Sequence, residues 1–540
     1  MDKVMLLFLT IYIGPMWGAI AQEQKDDSYS DYSYLWGDTS GKKKKKKKTS
    51  KTARPVLQPV VADSSTQVTS LQTTPADSSY VTNSDDPYEA YASLWGGTEE
   101  KKEFTDVDDF RASPTPEDED GMFTVGFTYT TIGDEAFVGT MLSPEFSLGK
   151  MDVGLDIPLL YGLDSRSYRT ELFKDGVGPF RIIRYARYGV QKQDPIYARL
   201  GQLDGVMIGY GGLVNNYSNT TSFEKRKLGV HFDLNYSRTV GLEGMYSDFD
   251  PTSINLLSIR PYVRPFASSS LPLMNSLELG ATIVSDRDQT SFPNSDTTRT
   301  SYLFTSQGVN AFGLDIGTKV LTTPFMQVHV FANYSNLSIQ NDSLQSLSGL
   351  FTGDSSTFET GSGMSFGANF RMQVIEDVFR ADVRLEWLSY QDHYLPQFFD
   401  AFYEINKDNK IANLIASEAQ NGIYGSLTGH ILQIIKLGGS VLIPNDISQA
   451  ASGVVRIHAD VERLADKVSL HGSYLKGGLE KLGDAFKLDQ RSLAKLRITY
   501  HLNDFLVAGV NYYHAFSQLN DGSFQMANTV MPYVGLSITP

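Results

Sequence analysis

The chain has 540 residues, no cysteine and a formal net charge of −15. The missing cysteines exclude a disulfide framework and any Cys-based metal site, and the length exceeds one ordinary soluble core. With 29 Tyr, 30 Phe and 46 Gly, the chain has the material for many strands, tight turns and aromatic girdles.

Met1 to Ala21 reads as a secretory signal peptide. Lys3 gives a basic start, Val4 to Ile13 is a short apolar run, and Ala19-Ile20-Ala21 is a small-residue cleavage pattern before Gln22. The run is too short to span a membrane as a helix and is broken by Gly14 and Pro15. No later stretch is long and apolar enough for a transmembrane helix. An integral membrane protein of this sequence therefore has to be a barrel, because only helices and closed barrels satisfy the backbone in lipid.

Residues 22–120 are rich in Ser, Thr, Asp, Pro and Lys and poor in aliphatic residues, with a lysine run at Lys42 to Lys48 and an acidic run at Glu117 to Asp120. Such a segment buries too little apolar surface to offset its ordering entropy, so a disordered arm is expected. It contains a repeat: Tyr32, Leu35, Trp36 and Gly37 recur in the same register as Tyr91, Leu94, Trp95 and Gly96. Tyr and Trp anchor short peptides in pockets. Two copies on one tether are expected to dock a divalent periplasmic protein or cell-wall partner by avidity. The lysine run carries no interleaved aromatics and the chain is acidic overall, so no nucleic-acid partner is expected.

From Gly121 to the end, apolar and polar residues alternate again and again. Examples are Val125, Phe127 and Tyr129; Leu228 to Tyr236; Met364 to Phe370; Val455 to Val461; and Leu496 to Leu502. The clearest is Phe379 to Trp387. Phe379, Ala381, Val383, Leu385 and Trp387 share one face, and Arg380, Asp382, Arg384 and Glu386 the other. These runs are about 9–11 residues, the length of a tilted membrane-crossing strand. Short links near Ser237-Arg238, Leu321 to Pro324, Gln373 to Asp377, Arg463 to Asp466 and Asn503-Asp504 contrast with long polar links. The long ones are Asp286 to Gln307, Asn336 to Thr360, Tyr390 to Asn421, Lys476 to Gln490 and Ser517 to Thr529. From Gly308 onward the two kinds largely alternate, as the periplasmic turns and external loops of a membrane barrel do. The expected fold is all-β, a transmembrane antiparallel β-barrel of about 16–20 strands over residues 121–540.

Other motifs carry less. Gly209-Tyr210-Gly211-Gly212 lacks the Gly-Lys-Ser/Thr of a phosphate loop, and the glycines are expected to ease a curved strand. A hairpin centred between Leu464 and Ala465 sets His458 opposite His471, but no third ligand is evident, so neither metal nor cofactor is expected. No nucleophile motif such as Gly-x-Ser-x-Gly occurs, and no enzyme activity is expected. Arg184 to Asn219, with Asp204-Gly205, is distinctive without indicating a function. In Pro396 to Gln420, the apolar residues Phe398, Phe399, Phe402, Ile405, Ile411, Leu414 and Ile415 predict two short helical pieces. They belong either to a packed surface loop or to a loop folded into the barrel mouth.

The final strand, from Val530, places Val530, Pro532, Val534, Leu536 and Ile538 on one face. On these patterns the chain resembles the bacterial outer-membrane β-barrel proteins, porin-like in size. It departs from their usual aromatic last residue by ending in Thr539-Pro540. The resemblance implies an outer-membrane protein in contact with lipid, with the N-terminal arm in the periplasm. The implied function is a pore for small hydrophilic solutes, or else a non-conducting anchor or envelope-assembly component. The residues expected to line the lumen are Arg371, Arg380, Asp382, Arg384 and Glu386, with Arg456, His458, Asp460 and Glu462.

Overall fold

The computed structural model describes residues 122–537 apart from 133–134, 171–177, 221–225, 250–254, 288–307, 340–359, 376–377, 433, 449, 480, 490 and 519–523. The expected signal peptide, the arm with its lysine run, and the Trp-Gly repeat lie outside the described residues.

Strands build one sheet in chain order. They are β1 (Met122–Ile132), β2 (Glu135–Leu148), β3 (Met151–Leu155), β4 (Ile157–Gly162), β5 (Ile183–Tyr188), β6 (Ile196–Gly201) and β7 (Gly229–Tyr236). Next come β8 (Val240–Tyr246), β9 (Leu257–Val263), β10 (Glu278–Asp286), β11 (Val309–Thr323), β12 (Met326–Ile339), β13 (Thr360–Ile375) and β14 (Phe379–Tyr390). The last are β15 (Gln420–Ile431), β16 (Ile435–Pro444), β17 (Gly453–Leu464), β18 (Val468–Leu479), β19 (Ser492–His501), β20 (Leu506–Gln518) and β21 (Phe524–Ser537). Neighbours pair antiparallel, and β1 pairs with β21 from Phe123↔Leu536 to Thr130↔Thr529. That last pairing closes the sheet and removes its edges. β3 and β4 both lie along β2, at Glu145 to Leu148 and at Phe137 to Leu142, so they form one broken strand and the barrel has 20 positions.

The alternation of connections holds around the circuit. At the end where β1 starts and β21 finishes, the links are mostly tight, such as 237–239, 324–325, 465–467 and 502–505. At the opposite end successive strands are separated by longer stretches of chain, as between Gly162 and Ile183, Gly201 and Gly229, Asp286 and Val309, Ile339 and Thr360, and Tyr390 and Gln420. Ser237 and Arg238 take φ of 52° and 56°, the left-handed region that lets a short link reverse the chain.

Side chains sort by face as expected. Phe127 is 72% exposed, and Ile283, Leu385, Trp387 and Val534 are exposed on the outer face. Thr128, Thr130, Arg384 and Glu386 are buried on the inner one. An apolar outside and a polar inside invert the soluble arrangement and match a barrel solvated by lipid.

Strand ends are where the sequence misled. Ser517 to Thr529 is not one long link, because β20 and β21 pair out to Gln518↔Phe524. Polar residues there stay in register because the ladder is made by backbone groups. The hairpin after β17 also differs. Arg463, Ala465 and Asp466 take positive φ and the register shifts between Val461 and Leu464. His458 consequently faces Ser473, and His471 faces Asp460, so the two histidines are not opposed.

Candidate functional site

Two long connections turn into the barrel and fill part of its lumen. The first runs from Gln202 toward Leu228, the second from Gln391 to Ala419. Within the first, Val206 and Tyr217 exchange backbone hydrogen bonds of 2.9 Å each way. The Leu213 carbonyl accepts from Phe399 N at 3.1 Å, and Asn215 N donates to the Phe399 carbonyl at 3.2 Å, so the two segments are zipped side by side. The zip explains a difference from expectation. Only one helix forms, Lys407–Ala416. Phe398 to Ile405 cannot be helical while Phe399 spends its backbone groups on the other segment.

The apolar residues of both segments form one cluster. Leu203, Val206, Val214 and Tyr217 pack with Phe398, Phe399, Tyr403, Leu414 and Ile415, and with inward wall residues such as Met245, Val284 and Leu337. The Phe399 and Tyr403 rings meet edge to face at 4.9 Å. Of the two placements open to the 396–420 stretch, the barrel interior is the one observed. Polar clasps fix it to the wall: Tyr403 Oη donates to Asp286 at 2.7 Å, and Lys407 pairs with the same carboxylate at 2.7 Å. Glu404 accepts from Lys227 at 2.6 Å and also from the Tyr217 hydroxyl. Burial raises the Glu404 carboxyl, but the Lys227 and Lys407 charges and these hydrogen bonds outweigh it and hold the group below its ordinary range.

The glycine run sits at the tip of the first segment. Gly209 and Gly211 take φ of 59° and 75°, so the run is a tight turn and not the curved strand expected. The turn presents Gly209 N to Glu243 at 2.7 Å and stacks Tyr210 on Phe331 at 5.0 Å.

That tip touches a wall of paired charges. Arg260 on β9 is fully buried and bonds Glu243 on β8 at 2.8 Å, Glu278 on β10 at 2.8 Å and Asp315 on β11 at 2.8 Å. Lys192 pairs with Asp233 at 3.1 Å and with Glu243. Sequence reading missed this cluster, although Asp233, Glu243, Arg260, Glu278 and Asp315 are charges at inward strand positions; Lys192 joins them from the link between β5 and β6.

The wall beyond β12 is different. A cavity of about 450 Å³ lies between the tip and strands β13 to β17. Arg371, Arg380, Arg384, Lys436 and Arg456 line it, with His329, His430 and His458, and Arg187 of β5, paired with Asp152 at 2.6 Å, reaches it from across. Asp382 is the one carboxylate in the lining and is shared by Arg371 at 2.9 Å, Arg380 at 3.4 Å and His430 at 3.1 Å. Strand register assembles the group, since Arg371 faces Asp382 and Arg380 faces His430 across neighbouring strands. Arg456 and Lys436 have no hydrogen-bonded or ion-pair partner among the described residues.

Six of the nine expected lumen residues, Arg371, Arg380, Asp382, Arg384, Arg456 and His458, thus share one cavity wall. Glu386 is outside the lining, buried and paired with Arg384 at 2.7 Å. Asp460 sits 3.7 Å from His471, and Glu462 is exposed at the far end of β17, both also outside it. Lys436 and His430 were not singled out beforehand. Among the described residues no three His, Cys, Asp or Glu side chains gather to hold a metal ion. Ser469 Oγ lies 3.0 Å from His501 Nε2, but Arg463, not a carboxylate, approaches the other ring nitrogen. That arrangement does not build a nucleophilic triad.

No protein-family model matches the chain, and no curated protein matches it in sequence. Among solved structures it is similar to OccAB4 of Acinetobacter baumannii, at 10% identity over 77% of this chain and 96% of that one, with a TM-score of 0.29. It is similar to OccK5 (OpdH) of Pseudomonas aeruginosa at 12% identity, over 78% and 99% of the two chains, with a TM-score of 0.29. It is also similar to Fiu, a ferric-catecholate import receptor of E. coli K12, at 9% identity over 78% and 82%, with a TM-score of 0.31. No residue role is carried across at such identity. The closed ladder, the apolar outer face and the polar lumen decide the class. The chain is an outer-membrane-type β-barrel.

Proposed function

We propose that the barrel is a porin-like pore of the outer membrane for small hydrophilic solutes, with a preference for anions. The observation that carries this reading is the cavity of about 450 Å³ whose lining holds six Arg and Lys side chains, Arg187, Arg371, Arg380, Arg384, Lys436 and Arg456, against one carboxylate. Rings of fixed charge at close quarters set ion and solute preference. The zipped segments narrow the lumen and leave this basic side open to solute.

The folded barrel is expected to conduct in planar bilayers and to favour chloride over potassium in a salt gradient. Lys436→Glu with Arg456→Glu moves the reversal potential toward the cation side. A silent bilayer from protein shown to be folded by its heat-modifiable mobility returns the chain to the non-conducting anchor reading.

The arm extends this proposal. β1 starts at the end with tight links, which in such barrels faces the periplasm, so residues 22–120 are assigned there. The repeated Tyr, Leu, Trp and Gly residues are its docking points. Trp36→Ala or Trp95→Ala alone weakens capture of a periplasmic partner, and the double change abolishes it. Identical pull-downs from envelope extract with wild type and double variant refute the docking role.

A further inference from the structure

Asp204 stands at a bend that the fold holds firmly. Leu203 and Val206 on either side are almost fully buried in the lumen cluster, Leu203 N donates to Asn219 Oδ1 at 2.8 Å, and Gly205 takes a φ of 69°. Between two locked anchors, the Asp204 side chain points away from the cluster toward β19. There Lys495 donates to its carboxylate at 2.6 Å across 291 residues of sequence. Arg456, on the basic wall, and Arg199 are the next cations whose charge acts on it. Burial raises the Asp204 carboxyl, and these three cations more than offset that, so it is held below the usual carboxylate range and ionised at neutral pH.

The surroundings show what this carboxylate does. Gly205 and Arg456 border the 450 Å³ cavity, while Gln202 and Lys495 border a second cavity of about 90 Å³ against β1, β2 and β19 to β21. Asp204 belongs to neither lining: its neighbour Gly205 borders the larger cavity, and its partner Lys495 borders the smaller one. Arg456 itself has no ion-pair or hydrogen-bonded partner among the described residues. A carboxylate held by Lys495, at a bend whose Gly205 shares a cavity lining with the unpartnered Arg456, has the make-up of an oxyanion site with one occupant already tethered in place.

We propose that Lys495 and Arg456 form a binding site for a small oxyanion, and that its resting occupant is the carboxylate of Asp204. A solute oxyanion enters by displacing Asp204 from Lys495, which opens the boundary between the two cavities. Asp204 thereby sets a threshold for anion entry. The site deepens the pore reading and rests on it for its role in passage, but occupancy is measured without conductance, so the two claims fail separately.

The test uses acetate, which reproduces the Asp204 carboxylate, titrated calorimetrically into the full chain folded in detergent micelles at low salt. Wild type binds acetate weakly because the site is filled. Asp204→Ala empties it and binds about tenfold tighter or better, equivalent to about 1.4 kcal/mol. Asp204→Asn keeps the bulk and loses the charge, and gains less than Asp204→Ala. Asp204→Ala with Lys495→Met loses the gain. Heat-modifiable mobility certifies that each variant is a folded barrel, and Asp204→Asn carries the test if Asp204→Ala does not fold. Folded Asp204→Ala binding acetate no better than wild type overturns the proposal. An equal gain with and without Lys495 puts the acetate elsewhere and overturns it as well.

Discussion

The wall of β8 to β11 and the wall of β13 to β17 both carry arginine at inward strand positions, but they handle the charge differently. Arg260 is fully buried and answered by three carboxylates from three other strands, and the tip of an inward segment covers it. Arg456 and Lys436 border a cavity and have no ion-pair partner among the described residues. Removing an ion from water costs several kcal/mol unless a partner replaces the water, so the covered wall had to be neutralised. A cation on the cavity wall that has no carboxylate partner remains available to a solute. On the working wall Arg371, Arg380 and Arg384 are paired as well, but Arg456 and Lys436 are not, and these two unanswered cations set it apart from the fully neutralised wall.

The largest effect follows from breaking the paired wall. Arg260→Ala leaves Glu243, Glu278 and Asp315 close together with one cation removed. The cost is about 3–5 kcal/mol, as for other buried pairs stripped of one partner, read as a lowered urea midpoint for barrel unfolding in lipid vesicles. Lys436→Gln and Arg456→Gln on the open wall change that midpoint by less than about 0.5 kcal/mol while reducing anion preference. Similar stability losses on both walls would erase the distinction.

The same contrast shows what the sequence could reveal. Alternation along Phe379 to Trp387 placed Leu385 and Trp387 outside and Arg384 and Glu386 inside, because the pleat alone decides the face. The neighbours that neutralise a charge follow from register, which one strand does not encode. Arg260 looks like any polar interruption of a strand until Glu243, Glu278 and Asp315 are aligned beside it. His458 and His471 show the converse: a bulge of left-handed residues at Arg463 to Asp466 moved the register and separated a pair that simple hairpin counting had joined. In the 396–420 stretch the aromatic residues announced a packed element. Its partner, Leu203 to Tyr217, lies far earlier in the chain, and no local pattern links the two. The Asp204-Gly205 bend, noticed without a role, belongs to that partner.

The smallest effect concerns how the covered side is held shut, and it depends on pH. Glu404 clasps the two inward segments through Lys227 and Tyr217, and its carboxyl is held below the ordinary range. A carboxyl whose folded-state pKa is depressed contributes stability above its unfolded value, and that contribution is lost as pH falls through the folded value. The clasp is therefore complete at neutral pH and weakens only below about pH 4, the ordinary range for glutamate. Tyr403 and Lys407 still hold Asp286, so the loosening is partial. Acidification of wild-type protein should raise open-channel noise and mean conductance reversibly. Glu404→Gln should show part of that rise already at neutral pH and respond less to acid thereafter. An acid response of equal size in the Gln variant would assign the titrating clasp to another carboxylate, with Asp204, held by Lys495 on the first inward segment, the next to replace.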